Sequence, residues 1–189
     1  MRKAFFPVSL NVDGRRCVVI GAPEDREAIE KTQALEECGA DVRRIVPEEV
    51  RDDDLSGAFF VVSTPQDAKL SARLRALADR HRFLLCCIDQ PAYGFVAMAA
   101  VAKAGPVRIA ISTAGLAPRV GKMVKEALQR AMDEKFARFV ELLATRREEE
   151  RRKHPAAEES QLRRRAMIEA ARGFSAEIAF RYPLWFERE

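Results

Sequence analysis

The sequence contains few side chains of the kind that hold metal ions. It has two histidines and four cysteines, and no two cysteines form a CxxC pair. These residues are His81, His154, Cys17, Cys38, Cys86 and Cys87. The cysteines lie in apolar segments, where cysteines are usually buried, reduced thiols. We therefore expect no permanent zinc site and predict no bound metal.

The sequence also lacks long apolar runs and a dominant charge of one sign. No segment reaches the roughly 20 apolar residues that span a bilayer, and Pro7 interrupts the short apolar stretch near the N-terminus, so no leader peptide is expected. The net charge of +4 arises from 33 basic and 29 acidic residues. Such a mixed surface does not indicate a nucleic-acid partner. We expect a cytoplasmic protein with no membrane partner.

The stretch from Arg15 to Pro47 has the pattern of one β–α–β unit. A β-branched run, Arg16 to Ile20, ends at Gly21, and helix formers follow from Ala28 to Cys38 before extended character resumes. Parallel strands joined by a helix imply a sheet with a ligand crevice at the carboxyl ends of its strands. We therefore expect the active site to lie beside Gly21.

The rest of the chain extends this α/β pattern. Residues 58–63 and 83–88 are continuous apolar runs, which predict buried strands on either side of a helix at 66–82. Residues 95–102 and 107–112 predict a hairpin at the sheet edge. One long helix is predicted from Pro118, with an apolar stripe at Val120, Val124, Leu128, Ala131, Phe139 and Leu143. The predicted organisation is a Rossmann-like domain over residues 1–112, followed by a helical domain over 113–189.

Three segments lie outside these elements. Residues 5–12 predict a lead-in strand or an arm. Residues 146–165 have almost no large apolar side chain, which indicates a solvated helix face or a linker broken near Pro155. The C-terminal segment ends in a cluster of aromatic rings that we expect to dock on another surface. These rings are Phe180, Tyr182, Trp185 and Phe186.

Several polar residues are candidates for a functional site. Asp89 follows an apolar strand, where an aspartate is either a turn former or a catalytic base. Ser112, Thr113 and Gly115 precede a helix, so their hydroxyls and amides either cap the loop or bind substrate carboxylates. Arg119 follows on that helix with two lysines, and this basic surface is either only solvated or binds substrate carboxylates.

Five segments of the sequence carry a resemblance to a known family. They are FFPVSLNVDGRRCVVIG, KTQALEECGADVRRIVPE, FVVSTPQDAKLSARL, LLCCIDQP and GPVRIAISTAGLAPRVGKMVKEAL. Over about residues 5 to 143 the chain resembles the precorrin-2 dehydrogenase family, which forms the dehydrogenase and ferrochelatase module of siroheme synthases. The segment from Gly105 to Pro118 is the most specific part of this resemblance.

The resemblance implies a fold, an activity and partners. It implies a nucleotide-binding α/β domain and a helical dimerisation domain that forms a homodimer. The implied reaction is the NAD-dependent oxidation of precorrin-2 to sirohydrochlorin, and some members also insert ferrous iron.

The resemblance also implies roles for particular residues. Asp89 falls on the catalytic aspartate, and Thr113 falls on a serine that can be phosphorylated in the family. The implied cofactor-binding residues are Gly21, Ala22, Pro47, Glu48 and Thr64. The implied substrate-binding residues are Ser112, Thr113, Gly115 and Arg119.

The turn after the first strand departs from the family pattern. Family members have three consecutive glycines there, whereas this chain has Gly21-Ala22-Pro23-Glu24-Asp25. Proline removes an amide donor and the two acids repel a phosphate, so we expect weaker NAD binding than a glycine-rich turn gives. Two alternatives for the nucleotide site stay open. Arg43 and Arg44 could favour a 2′-phosphate, and a degenerate member could bind tetrapyrrole or insert metal without any dinucleotide.

Overall fold

The computed structural model describes residues 5–188, and its core is a parallel sheet of four strands. The strands are β1 (Arg16–Ile20), β2 (Asp41–Ile45), β3 (Phe60–Ser63) and β4 (Leu84–Cys87), in the order β2-β1-β3-β4. Helix α1 (Arg26–Glu36) connects β1 to β2, and helix α2 (Ala68–His81) connects β3 to β4. The predicted Rossmann-like class is confirmed.

The sheet is buried on both faces, which is why its strands are apolar without alternation. Val18 and Val61 pack in one cluster with Leu74 of α2, whereas Val19 and Val62 of the same strands pack in a second cluster with Leu35 of α1. Neighbouring residues of a strand point to opposite faces, so each strand supplies both clusters.

Aspartates begin both crossover helices. Asp25 precedes α1 and Asp67 precedes α2, and the carboxylate of each accepts a backbone N–H of the first turn. Capping by Asp satisfies amides that have no partner within the helix. Helix α1 therefore begins at Arg26 rather than at the predicted Ala28. Two short 3₁₀ turns, Pro47–Glu49 and Asp52–Leu55, connect β2 to β3.

Strands β5 (Ala100–Ala104) and β6 (Val107–Ile111) form the predicted hairpin, but as a separate two-stranded sheet. Their apolar side chains pack on the helical part of the chain, since Ala102 and Ala104 are buried with Met132. The Gln129 side chain of the following helix also binds the backbone of β5. Its Oε1 accepts from the Lys103 N–H at 3.0 Å, and its Nε2 donates to the Lys103 carbonyl at 2.7 Å.

Three helices follow the hairpin, where one long helix was predicted to begin. They are α3 (Pro118–Ala131), α4 (Glu134–Lys153) and α5 (Ser160–Ala170). The prediction of a continuous helix through Leu143 was wrong, because the Asp133 carboxylate accepts from the Phe136 N–H at 2.8 Å and caps a new helix. Met132 is buried at this break. The charged end of α4 is solvated and the chain breaks after it near Pro155, as predicted.

The two terminal segments contain little regular structure. Residues 5–12 form no strand, so they are an arm, with Phe6 86% exposed. Near the other end, Phe174 stacks on Phe139 at 5.0 Å. Tyr182 and Trp185 contact Phe186 but remain more than half exposed, so docking of this tail stays a prediction.

The chain divides into two compact units. The first contains residues up to Ala100 together with Ala110–Val124, and the second contains Val101–Ile109 with the residues from Lys125 onward. The hairpin and α3 each contribute to both units. The predicted domain boundary at residues 112 and 113 stays a prediction.

Candidate functional site

The strand order places a crevice between β1 and β3. β1 pairs with β2 on one side and with β3 on the other. The order in which strands are added along the sheet therefore reverses between β1 and β3. Ligands of open α/β sheets bind at the carboxyl ends of the strands at such a switch point. Gly21 follows β1 here, Thr64 follows β3, and Asp89 lies two residues after β4.

Gly21 allows strand β1 and helix α1 to come close together. A Cβ on Gly21 would lie 2.5 Å from Thr64 Oγ1 and 2.6 Å from Ala28 Cβ, which is closer than real contacts allow. The Gly21 N–H donates to the Ile45 carbonyl at 3.1 Å. Only glycine fits this turn without displacement of β3 or α1.

Asp25 occupies the amino end of α1 and contacts the opposite side of the crevice. Its Oδ1 accepts from the Glu27 N–H at 2.9 Å, and its Oδ2 accepts a short hydrogen bond from the Thr64 hydroxyl. Thr64 is 9% exposed. The Thr64 hydroxyl, assisted by the Glu27 and Ala28 amides and the charge of Arg44, lowers the pKa of Asp25. The carboxylate is therefore ionised at neutral pH.

Arg44 holds the turn that leads to Asp25. Its Nη2 donates to the Ala22 carbonyl at 2.8 Å and to the Pro23 carbonyl at 3.2 Å. Because Arg44 lies on β2, these bonds fix the first turn against the neighbouring strand. Ala22, a predicted cofactor-binding residue, thus uses its carbonyl within the protein.

A cavity of about 700 Å³ lies at the carboxyl end of β2. Glu48 lines it from the 3₁₀ turn that begins at Pro47, and the cofactor role of these two residues stays a prediction. Arg43 also lines the cavity, where its Nη2 lies 2.9 Å from Asp54 Oδ1.

These residues fit part of a dinucleotide. The cavity with Glu48 suits a ribose, because an acid near the end of β2 accepts from ribose hydroxyls in Rossmann domains. The pyrophosphate of a bound dinucleotide lies at the amino end of the first helix. In this chain that position is taken by the Asp25 carboxylate, and Pro23 offers no amide. The pyrophosphate does not fit while Asp25 stays in place.

Asp89 lies at the other end of the crevice, in a left-handed backbone conformation with φ of 56°. Its side chain is exposed, and its Oδ2 accepts from Gln66 Nε2 at 3.3 Å. Gln66 lies in the loop after β3, and Gln90 Nε2 donates to the Pro65 carbonyl of the same loop at 3.5 Å. Two side-chain hydrogen bonds therefore connect the loop after β3 with the loop after β4.

The predicted substrate-binding residues form a separate turn after β6. Ser112 Oγ accepts from the Ala114 N–H at 3.2 Å, and Thr113 Oγ1 accepts from the Ala117 N–H at 3.4 Å. Gly115 has a φ of 76°, and Arg119 is exposed on the first turn of α3. Within residues 5–188, no side-chain hydrogen bond of Ser112 or Thr113 reaches Asp89.

Two side-chain contacts at the crevice were not predicted from the sequence. Asp25 was interpreted only as a repulsive charge, and Gln66 was assigned no contact with Asp89. The signal for Asp25 was present, because an aspartate directly before helix formers is a typical N-cap. Nothing in the sequence signals its bond with Thr64, since the two residues are 39 positions apart.

Residues 5–188 contain neither a helix suited to a membrane span nor a cluster of metal-ligand side chains. None of the helices in this part of the chain is both long and apolar enough for a membrane span. Over the same residues, no group of three or more His, Cys, Asp or Glu side chains could hold a metal ion.

Comparisons with known proteins agree with this architecture. A family described as "Putative NAD(P)-binding" matches residues 8–100. The siroheme synthase of Xylella fastidiosa is 27% identical over 82% of this chain and 36% of the relative, and that of Nitrosospira multiformis is 25% identical over 98% and 44%. This chain thus spans less than half the length of these curated relatives.

A solved structure has the same fold. The precorrin-2 dehydrogenase SirC superposes with a TM-score of 0.65 at 20% identity, covering 87% of this chain and 88% of the other. The matched NAD(P)-binding region, β1 to β4, contains the crevice with Gly21, Thr64 and Asp89. Together these comparisons support the resemblance of the chain to the precorrin-2 dehydrogenase family.

Proposed function

We propose that the protein oxidises precorrin-2 to sirohydrochlorin in siroheme biosynthesis, with NAD as the hydride acceptor. The observation that carries this proposal is the exposed Asp89 carboxylate at the crevice, just beyond the buried strand β4. The family match to an NAD(P)-binding region supports the cofactor, and the siroheme synthase relatives support the pathway.

Asp89 is the proposed proton acceptor. The oxidation removes a hydride and a proton from the substrate, and a positioned carboxylate takes the proton. Gln66 binds Oδ2 of Asp89, while Oδ1 has no hydrogen-bond partner among residues 5–188. The free oxygen is therefore the one that would accept the proton, and Gln66 orients it.

The turn from Ser112 to Arg119 is the proposed substrate-binding segment. A uroporphyrinoid carries several carboxylates, and an arginine together with loop amides binds such groups through charge-assisted hydrogen bonds. Arg119 is exposed and makes no ion pair within the described residues. It is therefore available to a substrate carboxylate.

We also propose that two copies assemble into a homodimer through α3. Three apolar side chains on this side of the chain are more than half exposed, namely Leu116, Val120 and Met123. Val120 and Met123 are three residues apart and therefore share one face of α3, and Leu116 lies in the turn just before this helix. An apolar face of this kind on a soluble chain marks an interface.

The experiment that tests the reaction uses the purified full chain under anaerobic conditions. Precorrin-2 is generated enzymatically in the cuvette, NAD is added, and the appearance of NADH and of the sirohydrochlorin spectrum is followed. We expect both to appear together and to depend on NAD. A parallel reaction supplies sirohydrochlorin and ferrous iron without NAD and tests metal insertion separately. Absence of NADH formation with authentic precorrin-2 would reject the dehydrogenase proposal.

One observation favours a second candidate function. The Asp25 carboxylate fills the pyrophosphate position, so a protein that binds tetrapyrrole or inserts metal without a dinucleotide is the alternative. This alternative predicts siroheme formation from sirohydrochlorin and ferrous iron, with no calorimetric signal from NAD at several millimolar. The two reactions described above distinguish it from the dehydrogenase.

A further inference from the structure

We propose that Asp25 is an intramolecular competitor for the nucleotide phosphates, so that NAD binds only when the Asp25 carboxylate leaves the amino end of α1. This inference rests on the proposed NAD-dependent function. It assigns the weak NAD binding expected of this turn to one side chain, that of Asp25.

The first argument is the position of the carboxylate. Asp25 Oδ1 accepts the Glu27 N–H, which belongs to the first turn of α1. Amides of this turn are the groups that bind a pyrophosphate in a Rossmann domain. A carboxylate and a phosphate cannot both accept the same amide in the same place, so nucleotide binding and this cap exclude each other.

The second argument is the bond across the crevice. Thr64 follows β3, whereas Asp25 precedes α1, and the Thr64 hydroxyl donates to Asp25 Oδ2. This bond joins the two sides of the switch point at which the nucleotide binds. A bound dinucleotide must therefore break a charge-assisted bond as well as the helix cap.

The third argument is that Arg44 supports the closed arrangement. Its guanidinium fixes the Ala22 and Pro23 carbonyls and lies near enough to Asp25 to favour its charged form. The Arg44 guanidinium is thus bound to the turn, and the Asp25 carboxylate at the amino end of α1 stays ionised at neutral pH.

The central variants are Asp25→Ser and Asp25→Asn. Serine caps helices about as well as aspartate, but it is shorter and neutral, so it vacates the phosphate position while it preserves the start of α1. Asparagine keeps the volume and the capping oxygen and removes only the charge. We expect Asp25→Ser to tighten NAD binding about tenfold, equivalent to about 1.4 kcal/mol. Asp25→Asn should gain less, because its amide still fills the position.

The chain offers two matched controls. Glu24→Gln removes the same charge one residue away, from an exposed side chain with no described hydrogen bond. Asp67→Ser removes the equivalent N-cap aspartate of α2, which accepts from Lys69 and Leu70. Both controls should change NAD affinity by less than twofold. Thermal melting of every variant verifies that it is folded.

A comparison of ligands locates the effect at the phosphates. Calorimetry with NAD, ADP and adenosine should show tighter binding of NAD and ADP to Asp25→Ser, and unchanged binding of adenosine, which has no phosphate. Equal gains for all three ligands would overturn the inference, since they would indicate general loosening of the site.

The outcomes separate this inference from the proposed function. If the wild type oxidises precorrin-2 and Asp25→Ser binds NAD no more tightly, the competitor role is rejected and the function stands. If only Asp25→Ser binds NAD, the competitor role is supported and the dehydrogenase function of the wild type is rejected. If neither binds NAD, both are rejected.

Discussion

Asp89 has a backbone conformation that determines how its chemistry is tested. Its φ of 56° lies in the left-handed region, which aspartate and asparagine adopt more readily than alanine does. Asp89→Asn therefore keeps the turn and removes the basic oxygen. We expect precorrin-2 oxidation to fall by ~10² to 10⁴ while NAD binding and the melting temperature stay unchanged. Retention of more than a tenth of the wild-type rate would make Asp89 a turn residue only.

The lowered pKa of Asp25 predicts a pH dependence of stability. Because the folded-state pKa lies below the ordinary value of about 3.9, ionised Asp25 stabilises the fold above that pH. The contribution is lost as the pH falls through the lowered folded-state pKa. In urea unfolding, wild type should exceed Asp25→Asn in stability at pH 7, and the difference should shrink below about pH 4. A difference independent of pH would exclude a role for the charge.

The interruption between α3 and α4 gives a prediction at the scale of elements. Asp133 caps α4, so Asp133→Ala should lower the free energy of unfolding by about 1 kcal/mol, measured by urea titration with circular dichroism. In a continuous helix the same change would stabilise the protein, because alanine has the higher helix propensity. The sign of the change therefore tests the break. Glu134→Ala, at the exposed next position, serves as the control.

Sequence patterns predicted the elements better than their ends and contacts. The apolar runs of β3 and β4 are distinctive because both faces of the sheet are buried, so these strands were predicted to within about two residues. The break at Met132 and Asp133 was missed, because apolar residues continue at helical spacing on both sides of it. Contacts such as Gln66 with Asp89 depend on which loops become neighbours, which no local pattern encodes.

At the scale of the whole molecule, the exposed face of α3 predicts a dimer. Light scattering of the purified chain should report twice the chain mass at micromolar concentration. Val120→Glu combined with Met123→Glu should yield monomers, because it places charge in an apolar contact, whereas Lys122→Glu should not. A monomeric wild type would contradict the proposed assembly, and so would a dimer that persists in the double variant.

The side chain of Gln129 has a consequence for association between molecules. A two-stranded sheet has unpaired N–H and C=O groups along its outer strands, and such edges add strands from other chains and initiate aggregation. Gln129 supplies one donor and one acceptor to Lys103, as a residue of a third strand would. The edge of β5 is therefore blocked at Lys103 by a helix side chain, which hinders pairing with a strand of another molecule at that position.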